Sequence, residues 1–124
     1  MPSTKIILNP ISGRGHGATL RPEIEQVLTR LGVPYDLVET THPGHAIELA
    51  RQAKIDGYET LVSVGGDGTT HEVVNGMMSV ADTFPIGTLA CIPAGSGNDF
   101  AVMNGTPTNV EVACQAIAAG NTQV

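Results

Sequence analysis

A glycine-rich turn between a buried strand and an amphipathic helix constrains this chain more than any other feature. Residues 60–64 form a short apolar run that alternates and ends abruptly, as a buried strand does. In the turn Gly65-Gly66-Asp67-Gly68, the glycines let the backbone bend sharply and approach a ligand closely, and Asp67 is the one charge. A helical pattern then begins at Thr69. The apolar residues on its predicted inner face are Val73, Val74, Met77, Met78 and Ala81.

Two interpretations of this turn remain open on the motif alone. A strand, a glycine turn with one carboxylate and a helix N-terminus together form a suitable seat for a polyphosphate and its metal ion. A glycine turn can also serve only to change the direction of the chain. Thr69-x-x-Glu72 fits a capping box, which needs no ligand. The sequence outside this turn is needed to distinguish the two interpretations.

The composition indicates one globular domain and excludes some classes of partner. The chain has 124 residues, of which 41% are hydrophobic and 15% charged, enough to form a sizeable core. A net charge of -6 and an aromatic content of 3% argue against nucleic acid and against electrostatic docking on anionic lipid. No segment resembles a signal peptide or approaches membrane-spanning length, so we expect a cytoplasmic protein. Cys91 and Cys114 lack a CxxC partner, and we expect both to be buried thiols.

Strands and helices are predicted to alternate along the chain. The predicted strands are residues 5–8, 34–39, 60–64 and 86–92, and the first two helices end at Gly32 and near Gly57. A brief helix at 100–103 and a final helix capped by Asn109 complete the pattern. The apolar residues predicted to face inward from these helices are Leu20, Ile24, Val27, Leu28, Leu31, Ala46, Leu49, Ala50, Ala53, Val110, Ala113, Cys114 and Ile117. This alternation predicts an α/β fold, a three-layer, doubly wound and mostly parallel sheet.

Three of the four predicted strands lead into turns of small residues, at 9–17, 65–69 and 93–98. The carboxyl ends of parallel strands meet at one edge of the sheet, where ligands of such folds bind. Neither the Walker loop nor the G-x-G-x-x-G fingerprint is present at these glycines. Phosphate charge would therefore have to be met by backbone N–H groups, helix N-termini and Mg²⁺. Arg14 is the only basic residue within the turns, and we expect it to be a solvated loop residue.

Four blocks of residues resemble the catalytic domain of the diacylglycerol-kinase-like lipid kinases, which include bacterial diacylglycerol kinases and the sphingosine and ceramide kinases. The third block alone is shared with NAD kinases and phosphofructokinases. Its extension through Gly76 and the fourth block favour the lipid kinases. The blocks are Asn9-Pro10-x-Ser12-Gly13, Thr40 followed by Gly44-His45-Ala46, Gly65-Gly66-Asp67-Gly68-Thr69-x-x-Glu72-Val73-x-Asn75-Gly76, and Ile92-Pro93-x-Gly95-Ser96-x-Asn98-Asp99-Phe100-Ala101.

The resemblance implies ATP-dependent transfer of a phosphoryl group to a lipid hydroxyl, with ATP and Mg²⁺ as cofactors. Residues 1–124 would be the catalytic, ATP-binding domain, similar to the N-terminal domain of NAD kinases and diacylglycerol kinases. Asp67 would be the catalytic acid, either as the base that takes the hydroxyl proton or as a Mg²⁺ anchor acting through water. The residues that would contact ATP are Asn9, Pro10, Ile11, Ser12, Gly13, Thr40, Gly66, Asp67, Gly68, Thr69, Thr70, His71, Glu72 and Ser96.

The resemblance also implies a second, β-rich domain that completes the lipid site and is absent from residues 1–124. We therefore expect a fragment that folds and binds nucleotide weakly but turns over little lipid. A lipid acceptor would bring the protein to the inner face of the membrane, and a homodimer is left open. Two other classes remain: a kinase acting on NAD or another soluble acceptor, and a non-catalytic nucleotide-binding module.

Several further residues have a structural and a functional interpretation. Glu72 either orients a Mg²⁺-bound water or caps its own helix. Asn98 and Asp99 either cap the short helix or close the acceptor side. We expect His42-x-x-His45 not to bind zinc, because no cysteine or carboxylate completes a site. The residues expected to serve helix packing or the core are Asn75, Gly76, Met77 and Met78.

Overall fold

The computed structural model of this chain describes residues 3–83 and 87–93, together with Cys114 and Ile117. Strands and helices alternate through this part of the chain, as the sequence predicts. Cys114 and Ile117 are helical and buried, in agreement with the predicted final helix. The elements are β1 (Thr4–Leu8), α1 (Ser12–Leu31), β2 (Asp36–Glu39), α2 (His45–Asp56), β3 (Thr60–Gly65), α3 (Asp67–Met78) and β4 (Thr88–Pro93).

All four described strands are parallel and lie in the order β2-β1-β3-β4. The chain passes from β1 outward to β2, then crosses back over β1 to form β3. The strand order therefore reverses between β1 and β3, and their carboxyl ends lie side by side with Leu8 opposite Val64. Such a reversal opens a crevice at the carboxyl edge of the sheet.

Helices cover both faces of the sheet, which confirms the three-layer α/β fold. Ile6 and Leu8 of β1 face α1, whereas Ile7 faces α2 and α3. All three side chains are fully buried, as expected for a central strand covered on both faces. Successive side chains of β1 point to opposite faces of the sheet, so they contribute to two separate parts of the core, one under α1 and one under α2 and α3.

The two helices on one face pack closely because α2 presents alanines and α3 presents a glycine. A Cβ atom on Gly76 would lie 2.3 Å from the carbonyl oxygen of Ile47 and 2.8 Å from Cβ of Ala50. The expected packing role of Gly76 is confirmed, and its partner is the helix α2. Asn75 is exposed, so the same role predicted for Asn75 is wrong.

The predicted apolar face of α3 needs correction. Val73 and Met77 are buried, but Val74 and Met78 are 36% and 55% exposed. The helix begins at Asp67, two residues earlier than predicted, and ends at Met78, before Ala81. Only the narrower stripe that includes Val73 and Met77 reaches the core, because consecutive helical residues lie about 100° apart.

The two cysteines differ in exposure. Cys114 is buried, as expected, but Cys91 is exposed on β4. Because β4 is the last strand of the described sheet, its side chains have a neighbouring strand on one side only.

Within the same described residues, no helix is both long and apolar enough to cross a membrane.

Candidate functional site

A cleft of about 350 Å³ opens at the carboxyl ends of β1, β2 and β3, beside the point where the strand order reverses. This is the position at which parallel α/β sheets bind ligands. Three separate segments of sequence contribute to it, one after each of these strands. The residues that line the cleft are Asn9, Ile11, Ser12, Thr40, Thr41, His42, Pro43, Ala46, Gly66, Gly68, Thr69 and Glu72.

Asn9 joins the turn after β1 to the start of α3. Its backbone N–H donates to the carbonyl of Val64 at 2.8 Å, and its side-chain oxygen accepts from the N–H of Ile11 at 3.2 Å. Its side-chain nitrogen donates to Oγ1 of Thr69 at 3.2 Å, and Oγ of Ser12 lies 3.5 Å from the same Thr69 oxygen. Thr69 is only 5% exposed. The first and third sequence motifs therefore meet in one small polar cluster.

The turn that follows Asn9 has an unusual backbone. Gly13, Arg14 and Gly15 all have left-handed φ angles, so the regular part of α1 begins after them. Arg14, with φ of 61°, is the one non-glycine residue with positive φ in the described part of the chain, a conformation that costs energy for an L side chain. A Cβ atom on Gly17 would lie 2.1 Å from the carbonyl oxygen of Asn9. The turn is thus pressed against α1, and Arg14 is exposed as expected.

The glycines at the junction of β3 and α3 serve two different purposes. A Cβ atom on Gly65 would lie 2.5 Å from Oγ1 of Thr69 and 2.9 Å from Oγ of Ser12, so Gly65 is required by packing. Gly66 and Gly68 would carry Cβ atoms into open space, with nothing within 4 Å. Both line the cleft at the N-terminus of the 12-residue helix α3. An anionic group could therefore approach the backbone N–H groups and the positive end of the helix dipole here.

The structure brings together most, but not all, of the residues predicted to contact a nucleotide. Asp67 is the first residue of α3 and is exposed beside the cleft rather than lining it. The hydroxyl of Thr70 lies 2.9 Å from that of Ser63, so it is turned toward the sheet. Ser96 lies outside the described residues, as do Asn98 and Asp99. Those that line the cleft are Asn9, Ile11, Ser12, Thr40, Gly66, Gly68, Thr69 and Glu72, and the described ones that do not are Pro10, Gly13, Asp67, Thr70 and His71.

Sequence reasoning missed part of one wall of the cleft, the residues Thr41, His42 and Pro43. These residues carry no phosphate-binding motif of their own. The signal that was available is their position, because they directly follow β2 and lie at the same carboxyl edge as the two recognised turns.

Glu72 does not cap its own helix, so the capping-box interpretation is wrong. The residue that precedes α3 is Gly66, and Glu72 is the sixth residue of the helix, too far along to reach its free N–H groups. Its Oε2 instead accepts a hydrogen bond from the backbone N–H of Gly44, at 3.2 Å. Gly44 is the residue that precedes α2. The carboxylate of Glu72 on α3 therefore caps the preceding helix, α2.

Two histidines shape the loop between β2 and α2: His42, which lines the cleft, and His45, the first residue of α2. Their rings stack with 4.5 Å between centroids, and Nδ1 of His45 accepts a hydrogen bond from the N–H of Thr41 at 3.0 Å. Nδ1 of His42 lies 3.1 Å from the carbonyl oxygen of Pro43. Among the described residues, no group of three or more His, Cys, Asp or Glu side chains is arranged to hold a metal ion.

The clearest pKa shifts lie at the opposite, amino edge of the sheet. Tyr58 donates a hydrogen bond to Asp36, and this bond raises the pKa of the tyrosine to about 12. Burial lowers the pKa of Lys54, whose ammonium donates to the carbonyl of Tyr58 at 2.6 Å. These groups hold the end of α2 against β2 and β3. The perturbed pKa values of Tyr58 and Lys54 thus belong to a structural cluster.

Comparisons with known proteins agree with this geometry. The model of the family described as "Diacylglycerol kinase catalytic domain" matches residues 3–124. The diacylglycerol kinase of Bacillus subtilis (strain 168) is 36% identical over 107 residues, covering 86% of this chain and 34% of that protein. Sphingoid long chain base kinase 5 of Saccharomyces cerevisiae is 38% identical over 101 residues, covering 78% of this chain and 15% of that protein.

A solved structure shares the fold as well as the sequence. The crystal structure of a diacylglycerol kinase from Bacillus anthracis str. Sterne superposes with a TM-score of 0.71 at 29% identity, covering 94% of this chain and 42% of that one. The chain therefore spans well under half the length of these relatives. Because the family model matches nearly the whole sequence, this chain belongs to the diacylglycerol kinase catalytic domain family.

Proposed function

We propose that residues 1–124 form the ATP-binding part of a lipid kinase that transfers the γ-phosphoryl group of ATP to a lipid hydroxyl. The observation that carries this proposal is the pair of open glycines, Gly66 and Gly68, at the N-terminus of α3. They give a polyphosphate access to backbone N–H groups at the edge where such sheets bind ligands. Membership of the diacylglycerol kinase catalytic domain family supports the same activity.

The cleft suits a nucleotide in size and in chemistry. Its volume of about 350 Å³ is within the range of small-molecule sites. The phosphates would lie against Gly66 and Gly68, where no side chain intervenes. The rest of the nucleotide would extend toward Thr40 and the wall after β2, and the hydroxyls of Ser12 and Thr69 would hold the floor of the site.

Asp67 and Mg²⁺ would supply the charge chemistry. The carboxylate of Asp67 is exposed beside both open glycines, and carboxylate oxygens are ligands that Mg²⁺ accepts, directly or through water. The ion would neutralise charge on the phosphates during transfer. Asp67 would either anchor the ion or take the proton of the acceptor hydroxyl. With few cations near the cleft, and with Arg21 engaged by Glu39 at 2.7 Å, backbone N–H groups would contribute much of the remaining charge compensation.

The acceptor is proposed from the relatives. Those compared above are a diacylglycerol kinase and a sphingoid long chain base kinase, and both are much longer than this chain. A hydrophobic acceptor would need the second, β-rich domain that the family resemblance implies, and it would bring the protein to a membrane surface. The isolated chain would then bind nucleotide but turn over little lipid. A kinase of a soluble acceptor and a non-catalytic nucleotide-binding module are the competing functions.

Calorimetric binding of Mg²⁺-ATP tests the nucleotide site. Gly66→Asp places a carboxylate in the open space of the cleft, and the φ of -94° at Gly66 accommodates a side chain without strain. Gly66→Asn, of nearly the same shape but uncharged, is the matched control. We expect Gly66→Asp to weaken ATP binding at least about tenfold, since like charges repel in a partly buried site, and Gly66→Asn to weaken it less. Equal affinities for the wild type and Gly66→Asp would refute the site.

Activity assays on the chain joined to a second domain test the acceptor. Radiolabelled ATP would be offered with diacylglycerol, with sphingosine and with NAD in separate reactions. Labelled lipid product supports the lipid kinase, and labelled NADP supports the soluble-acceptor kinase. ATP binding without any product would indicate a non-catalytic module.

A further inference from the structure

We propose that Glu72 is a positioning residue that fixes one wall of the cleft by holding the loop at residues 41–44 against α3. This inference rests on the proposed nucleotide function. Glu72 would act on nucleotide affinity through the loop, by way of its hydrogen bond to the N–H of Gly44, and independently of Mg²⁺.

The hydrogen bond joins two elements that lie on the same face of the sheet. Glu72 is half-buried on α3, and its Oε2 lies 3.2 Å from the nitrogen of Gly44, 28 residues earlier in the chain. Gly44 has a left-handed backbone, with φ of 84°, and it is the point at which the loop turns into α2. A carboxylate at this helix N-terminus is also favoured by the helix dipole. No Lys or Arg of the described residues forms an ion pair with Glu72.

The other hydrogen bonds described for this loop stay within it or run to α2, as does the bond from the N–H of His45 to the carbonyl of His42 at 3.1 Å. The first residue of the loop, Thr41, donates its N–H to Nδ1 of His45, but His45 belongs to α2 itself. The Gly76 contact fixes the body of α2 against α3, beginning at the level of Ile47. Among the described hydrogen bonds, the one to Glu72 is therefore the bond that joins the loop to α3. The loop carries His42 and Pro43, which line the cleft.

A positioning role and a role toward Mg²⁺ make different demands on residue 72. Holding the N–H of Gly44 requires an acceptor oxygen at the right distance. Orienting a Mg²⁺-bound water instead requires the negative charge of the side chain. Glu72→Gln keeps the reach and loses the charge, whereas Glu72→Asp keeps the charge and shortens the side chain by one methylene. The two variants therefore separate the roles.

The first measurement is hydrogen exchange of the Gly44 amide by NMR in the nucleotide-free chain. We expect Glu72→Asp and Glu72→Ala to speed this exchange by at least about tenfold, the effect of losing one hydrogen bond, and Glu72→Gln, which keeps a neutral acceptor, to speed it less. Glu48→Ala removes an exposed acidic residue from the first turn of α2 and is the control, for which we expect no change. Unchanged exchange in Glu72→Asp would overturn the proposal. If Glu72→Ala does not fold, the comparison of Glu72→Asp with Glu72→Gln still tests the proposal.

The second measurement is ATP binding to the same variants with and without Mg²⁺. We expect Glu72→Asp to weaken ATP binding by about three- to tenfold in both conditions. Glu72→Gln should weaken it less than Glu72→Asp does. A loss in Glu72→Gln that appears only with Mg²⁺ would overturn the positioning role in favour of metal chemistry. Failure of the proposed nucleotide function gives a different result: the Gly44 amide would still respond to residue 72, while wild-type ATP binding would be absent or insensitive to Gly66→Asp.

Discussion

The side-chain amide of Asn9 donates a hydrogen bond to Oγ1 of Thr69 at 3.2 Å, across 60 positions of the sequence. The bond links the end of β1 to the first turn of α3, where the strand order reverses. Oγ of Ser12 lies 3.5 Å from the same oxygen. One buried hydroxyl thus connects two of the three segments that form the cleft.

We predict that Thr69→Val destabilises the fold and weakens nucleotide binding. Valine keeps the shape of threonine but removes the hydroxyl, which leaves the Asn9 amide and the Ser12 hydroxyl without this partner. The expected loss in the free energy of unfolding is about 1–3 kcal/mol, measured by urea denaturation. Thr69→Ser keeps the hydroxyl and should retain more of the stability. A valine variant as stable as the wild type would show that the cluster contributes nothing to the fold.

Gly76→Ala should lower the free energy of unfolding, because the added methyl group meets α2. The new Cβ would lie 2.3 Å from the carbonyl oxygen of Ile47, and backbone cannot yield as a flexible side chain does. Overpacking of this kind costs about 1–3 kcal/mol, and thermal or urea unfolding would measure it.

Gly68→Ala is the matched control in the same helix. Its Cβ meets no atom within 4 Å, and alanine favours helix over glycine by about 1 kcal/mol. The control should therefore be as stable as the wild type or more so. If Gly76→Ala and Gly68→Ala lowered the free energy of unfolding equally, the close approach of α2 and α3 would not be the cause of the loss.

Features set by local geometry were predictable from the sequence. Gly32 and Gly57 end their helices with left-handed backbones, and glycine is the residue that adopts this conformation without cost. The alternating strands and helices likewise gave the parallel sheet. The glycine turn lies between β3 and α3 as predicted, but it is shorter than predicted, because Gly65 still belongs to β3 and Asp67 already begins α3.

Features set by distant partners were not predictable. Glu72 matched a local capping box, yet it bonds Gly44 across 28 positions. The cleft wall at Thr41 to Pro43 has no motif and is brought to the site only by the position of β2 in the sheet. Val74 has the same hydrophobicity as Val73, and only the packing of α3 separates the two.

Alanine substitutions at these two valines test the orientation of α3. Val73 is fully buried and Val74 is 36% exposed. Val73→Ala should lower the free energy of unfolding by about 1–3 kcal/mol, since it removes buried methyl groups and leaves a cavity. Val74→Ala should change it by less than about 0.5 kcal/mol, as partly exposed sites usually do. Paired urea denaturation curves measure both, and equal losses would contradict the assigned face.

Tyr58 should make the stability of the fold fall at alkaline pH. Its hydrogen bond to Asp36 holds the proton on the folded-state hydroxyl and raises the pKa from the ordinary 10 to about 12. Below pH 10 both states keep the proton, so the contribution is fully present. Between about pH 10 and 12 the unfolded chain loses its proton first, and the free energy of unfolding therefore decreases.

Ultraviolet absorbance of tyrosinate measures this titration directly. The chain has two tyrosines, so a Tyr35→Phe background leaves Tyr58 as the one reporter. Asp36→Asn removes the charge that favours the protonated phenol, and it should move the pKa of Tyr58 back toward 10. In the same background, Tyr58→Phe should cost about 1 kcal/mol near pH 8, and its unfolding curve should converge with that of the parent as the pH rises through 12. A Tyr58 that titrates near 10 with Asp36 intact would show that the bond does not form in solution.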